Sequence, residues 1–182
     1  MKAIVQPRFG TPDALQFVDR EAPEIGPDDV LVRMHAAAIN PYDWHMLRGD
    51  PYIARLMGGV GLTRPKHPIA GADGAGVVEQ VGANVRDLRP GDEVLGLFDG
   101  SFAEHARTRA DRVVRKPARL TFEQAAAVPM AGETALRAIR DVGQVHAGHR
   151  VLVNGAAAGF RRCRGRRRTA AARRRSRPRC SR

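Results

Sequence analysis

The chain has 182 residues, 43% hydrophobic and 27% charged, a length that holds one domain with a real core, or one and a fraction. Its formal charge of +12 suggests a polyanion partner, but after Phe160 there are 12 arginines and no acidic residue, so residues 1–160 carry 19 basic and 19 acidic groups and are neutral. Both cysteines, Cys163 and Cys180, lie in that arginine-rich tail, which excludes a disulfide framework or a cysteine-based zinc site in the body.

The amino-terminal MKAIVQPRFG lacks a long apolar stretch, so no signal peptide is expected. No run of about 18 apolar residues occurs, so no membrane span is expected and the default location is cytoplasmic. Residues 2–6 (KAIVQ) and 15–19 (LQFVD) read as short strands around the turn GTPD. In residues 28–39 (DDVLVRMHAAAI), Val30, Val32 and Met34 alternate with Leu31, Arg33 and His35, the period of a strand. Pro41, without an amide donor, is expected to break that ladder in NPYDW. Residues 46–68 read as a mixture of short helix and loop. Residues 71–82 (GADGAGVVEQVG) and 90–98 (PGDEVLGLF) read as two further strands. Several short strands punctuated by Gly and Pro indicate a barrel-like β domain.

The pattern changes at residues 120–143. Thr121 is a candidate helix cap with Glu123 and Gln124 in the first turn; Pro129 interrupts, and residues 132–143 (GETALRAIRDVG) form a second helix ending at Gly143. A turn and an apolar strand at 151–153 then lead into Asn154-Gly155, the opening of an α/β unit. Residues 161–182 are low in complexity, self-repelling and poor in apolar side chains, so they are expected to be disordered.

Taken in order, KAIV, DDVLVRMHAAAINPYDW, GADGAGVVEQVG, RPGDEVLG, AAAVPMAGETAL and GHRVLVNGA resemble the medium-chain dehydrogenase/reductase superfamily, most nearly its zinc-free quinone or enone oxidoreductase branch. The likeness spans about residues 1–159. It implies a mainly β fold: a GroES-like catalytic domain over residues 1–120, connecting helices over 121–148, and the start of a Rossmann domain over 149–160, before the tail at 161–182. It also implies hydride transfer from NADPH to an enone or quinone (an aldehyde in some relatives), and a homodimer in an intact relative.

By position, the resemblance places Asn40, Asp43 and Thr134 beside the cofactor, with Gly155 and Gly159 in its glycine turn. Asn40 could equally end a strand, and Thr134 could be an ordinary helix residue. Tyr42 or Tyr52 could donate a proton or hydrogen bond to the substrate, or simply pack. Zinc-dependent relatives have cysteine where this chain has Asn40, and Gly-His-Glu where it has Gly71-Ala72-Asp73. The six histidines, at 35, 45, 67, 105, 146 and 149, have no metal-motif spacing and are expected on the surface or in turns. No zinc is expected, and a zinc-type alcohol dehydrogenase relative is the alternative. Gly71, Gly74 and Gly76 are expected as turn or bulge positions, and Asp92 as a turn support.

Ala158 and Arg161 stand where relatives have glycine, and Arg161 would open a helix meant to lie on a sheet. The abrupt change to arginine is what a GC-rich Gly/Ala-coding stretch gives when read one base off, so a frameshift near codons 158–161 is expected, with a truncated, inactive product. Two other readings stand beside this. The arginine tail could bind nucleic acid with steep salt dependence, though it lacks an aromatic after Phe160 to stack on bases. The β domain could also be a stand-alone binding module.

Overall fold

The computed structural model describes residues 1–50, 53, 55 and 61–153. Tyr52, Gly155, Gly159 and the arginine tail, with the expectations attached to them, lie outside the described residues. The chain divides into two compact units, Met1–Met130 and Ala131–Arg182.

The first unit is mainly β. Strands β1 (Lys2–Val5) and β2 (Gln16–Asp19) form an antiparallel pair around a single helical turn at Pro12–Ala14. A five-stranded antiparallel sheet holds β3 (Asp29–Ala38), β4 (Asp73–Val81), β5 (Glu93–Leu97), β6 (His105–Arg109) and β7 (Val113–Arg115), in the order β6-β3-β4-β5-β7. The expected strands at 2–6, 15–19, 28–39, 71–82 and 90–98 are all present. The sequence reading left out β6 and β7. They are short, lie at the sheet edges and carry the charged stretches HARTR and VVR, so apolar alternation barely marks them.

Both faces of the sheet are covered. Val30, Val32, Val78, Val94, Phe98 and Val113 form one apolar cluster, while Ala75 and Leu95 pack with Ala125 and Ala126 on the other face. Val94 and Leu95 are neighbours in β5 and serve opposite clusters, as the two-residue strand period requires. In β3, Leu31 is buried too, between Val30 and Val32 of the first cluster. Small residues let β3 and β4 close up. A Cβ on Gly76 would lie 2.1 Å from the Arg33 carbonyl oxygen, beside a register shift between Met34 and Ala36.

Three helices bear on the site. In α1 (Pro41–Arg48), Pro41 does not merely stop the strand as expected; it opens the helix in the first turn, where its missing amide costs no hydrogen bond. Helix α2 (Phe122–Ala126) is capped by Thr121, whose hydroxyl accepts from the Gln124 amide at 3.3 Å. Helix α3 (Pro129–Leu136) likewise starts at its proline, three residues before the expected Gly132 start, and continues as a π-helical segment at Arg137–Val142 before Gly143. Residues 151–153, expected as a strand, pair with no strand among the described residues, and Leu152 is 92% exposed. Apolar composition alone does not make a strand without a neighbouring ladder. Among the described residues no helix is long and apolar enough to cross a membrane.

Candidate functional site

The sheet register builds the site. Asp73, the first residue of β4, pairs with Ala38 at the end of β3 and with Leu97 of β5, so it sits at the centre of the sheet. Two residues beyond Ala38 the chain reaches Asn40, the cap of α1, in extended conformation. Asp73 shares a face of β4 with Ala75, which packs on α2, and shortly after α2 the chain presents the Met130 amide.

These three paths meet at one carboxylate. Asn40 Nδ2 donates to Asp73 Oδ2 at 2.9 Å, and the Met130 amide donates to both Asp73 oxygens at 3.2 and 3.3 Å. Asp73 is fully buried. Burial pushes its carboxyl up to about 6; the bonds from Asn40 and Met130 pull it down, and the charge of Asp43 adds to the rise. Asp43 closes a capping box with Asn40, accepting from the Asn40 amide at 2.7 Å. Burial raises Asp43 above the usual carboxylate range, against its backbone hydrogen bonds.

Tyr42 stands on α1 between these groups in sequence and is 43% exposed. Burial of part of its ring, then the charges of Asp43 and Asp99, raise its phenol above the ordinary value. Around it Ile39 is 83% and Trp44 46% exposed, leaving apolar surface next to a polar cluster.

The structure therefore brings Asn40 and Asp43 together and leaves Tyr42 nearby on the same helix. Thr134 lies on α3 in the second unit and is exposed there. Sequence reasoning missed Asp73 as a site residue. Its signal was available: one carboxylate opening the small, apolar run GADGAGVV, where a buried acid demands partners.

Five of the six histidines are exposed; His105 instead lies half-buried in β6, with Nε2 3.1 Å from Glu79. His146 and His149 do flank a turn, closed by the His149 amide on the His146 carbonyl at 3.2 Å. Gly71 occupies a left-handed turn position at φ 90°. Asp92 supports its turn, accepting from the Arg89 amide at 2.9 Å and from Arg115 at 3.0 Å.

Residues 26–118 match the family model described as alcohol dehydrogenase GroES-like domain. The chain is 34% identical over 162 residues to a quinone oxidoreductase of Sus scrofa, covering 87% of this chain and 46% of that one. It is 36% identical over 171 residues to a 2-methylene-furan-3-one reductase of Solanum lycopersicum, covering 87% of this chain and 42% of the relative. Among solved structures, a quinone oxidoreductase of Pseudomonas syringae superposes with a TM-score of 0.73 at 33% identity, over 87% of this chain and 46% of that chain. A mycobacterial protein solved as a complex with NADPH superposes with a TM-score of 0.75 at 28% identity, over 88% and 47%. The chain thus spans about half the length of the relatives it matches.

Proposed function

Because the chain belongs to the alcohol dehydrogenase GroES-like domain family, within the quinone oxidoreductase branch of the medium-chain dehydrogenase/reductase superfamily, we propose that it carries the substrate-side half of a zinc-independent, NADPH-dependent reductase of quinones or enones. The observation that carries this reading is the donor set at the head of β4. It consists of Asn40, whose side-chain amide donates to Asp73 and whose main-chain amide donates to Asp43. A catalytic zinc draws mainly on thiolate and imidazole with an open position. Here neither is present, and the Asp73 oxygens are already engaged by Asn40 and Met130.

The same donor set fits the nicotinamide end of NADPH. The Asn40 amide can meet a planar carboxamide, and the exposed apolar side chains of Ile39 and Trp44 offer surface to a flat ring. When bound, NADPH would supply a hydride. Tyr42 would donate a hydrogen bond to the acceptor oxygen on which negative charge gathers, and its raised phenol stays protonated at neutral pH. Tyr52 is the second candidate for that donor. Thr134 would add a contact to the cofactor, and Gly155 and Gly159 would take its phosphate end.

On this reading the 182 residues alone turn over little, because Arg161 and the arginines after it supply no apolar helix to pack behind Gly155 and Gly159. The composition of residues 161–182 supports a shifted reading frame, and translating the other two frames from codon 158 is the check: neither restoring an apolar strand–turn–helix pattern would refute it. Activity is tested by NADPH oxidation with a benzoquinone and with an enone, in the 182-residue chain and in a frame-restored version. Turnover in the restored protein that survives chelation and is cut about tenfold or more by Tyr42→Phe is expected. Zinc-dependent alcohol oxidation in its place would refute the proposal.

A further inference from the structure

Asn40 is held on both sides. Its Nδ2 donates to the fully buried Asp73, and its cap position ties it to the first turn of α1 through Asp43. A primary amide has two N–H donors and two acceptor lone pairs. With one donor committed to Asp73 and the side-chain oxygen accepting from the Asp43 amide in the capping box, the half-buried Asn40 retains one N–H and one lone pair, in an orientation that cannot flip without setting its oxygen against the Asp73 carboxylate. That pair is the complement of a primary carboxamide, which offers one C=O and one NH2 in a plane. It is a poor match for a carboxylate, which has no donor and would face Asp43 and Asp73.

We infer that Asp73 is a positioning residue that locks the Asn40 amide in one orientation, and that the locked amide selects a carboxamide over a carboxylate on the ring it meets. This rests on the reading of the site as the nicotinamide end of a cofactor site, and it extends that reading to a residue that touches neither cofactor nor substrate. The Met130 amide gives Asp73 a second anchor, so the carboxylate does not follow Asn40 if the loop shifts.

The coupling is read directly from the Asn40 side-chain NH2 resonances of the full chain. Their shifts should step as Asp73 titrates near pH 6. Burial raises Asp43 as well, and its charge acts on Asp73, so the step must vanish in Asp73→Asn and persist in Asp43→Asn. Its persistence in Asp73→Asn would overturn the inference.

Selection is read by calorimetry on the frame-restored chain with NADPH and with its deamidated analogue, whose ring carries a carboxylate. NADPH should bind about tenfold tighter or more. Asn40→Leu, which removes both the donor and the acceptor, should lose that preference, and Asp73→Asn, which keeps the Asn40 amide but unlocks it, should lose part of it. Equal binding of the two dinucleotides by the frame-restored chain refutes the selection. An Asp73-dependent step in a frame-restored chain that binds neither dinucleotide overturns the cofactor reading of the site and leaves the locking of Asn40 by Asp73 supported.

Discussion

Asp73 concentrates the energetic risk of this fold in one side chain. A buried carboxylate is tolerated only when its oxygens are satisfied, and here they are satisfied by a side chain from the end of β3 and a backbone amide from the start of α3. The neighbouring glycines carry a different constraint. Gly76 lets the Arg33 carbonyl approach so closely that any Cβ would collide with backbone, which cannot rotate away. Gly76→Ala is therefore expected to destabilise the unit by about 1–3 kcal/mol, read as a lowered urea midpoint. An unchanged midpoint would show that β3 and β4 can separate locally without cost. Lys116 illustrates a third constraint: its side chain is 5% exposed, yet its ammonium meets Glu93 at 2.9 Å and the Leu120 carbonyl at 2.7 Å, so the charge is buried with partners.

At the scale of elements, helix starts are decided by caps and prolines together. Thr121, Asn40 and Pro41 act through local chemistry, and each helix begins where an otherwise orphaned amide is either satisfied or absent. Helix α2 is only five residues long, too short to hold itself, and depends on its cap and on the packing of Ala125 and Ala126 against Ala75 and Leu95. Thr121→Ala is expected to cost about 1 kcal/mol, while Thr121→Ser should keep most of the stability. Comparison of the two melting curves checks this, and equal losses in both would mean that the threonine methyl, not the cap, matters. Strands β6 and β7 show the converse: their pairing with β3 and β5, not their composition, makes them strands.

For the whole molecule, the elevated carboxyl of Asp73 links stability to pH. Its folded value of about 6 lies above the ordinary 3.8. The folded state then binds the proton more tightly than the unfolded state does. The stabilisation is fully present below about pH 4 and is lost as pH rises through about 6, an amount of about 3 kcal/mol. Asp43 is shifted in the same direction, whereas the exposed Asp92 and Asp111, lowered by hydrogen bonds from Arg89 and from Arg109, contribute in the opposite sense. The measurable quantity is thus the difference between native chain and Asp73→Asn across pH 4–7. The native chain should lose stability relative to the variant over that interval, and parallel curves would show that Asp73 ionises normally.

Local chemistry was enough to read several features of this protein from its residues alone. The period of Val30, Val32 and Met34 marked β3, Gly71 marked a turn, and Thr121 marked the start of α2, because each depends on neighbours within a few residues. The ordered motifs from KAIV to GHRVLVNGA likewise pointed to the family, and they singled out Asn40 and Asp43, which the fold brings together. Other features depended on distant pairing. Residues 105–109 became an edge strand only because β3 offered a ladder, and residues 151–153 find no ladder among the described residues despite their apolar sequence. Asp73 became the hub of the candidate site only when the sheet register set it beside Ala38 and the return of the chain brought Met130 to it. A buried charge has no meaning in a linear sequence until the fold removes water from it and supplies the donors that replace that water.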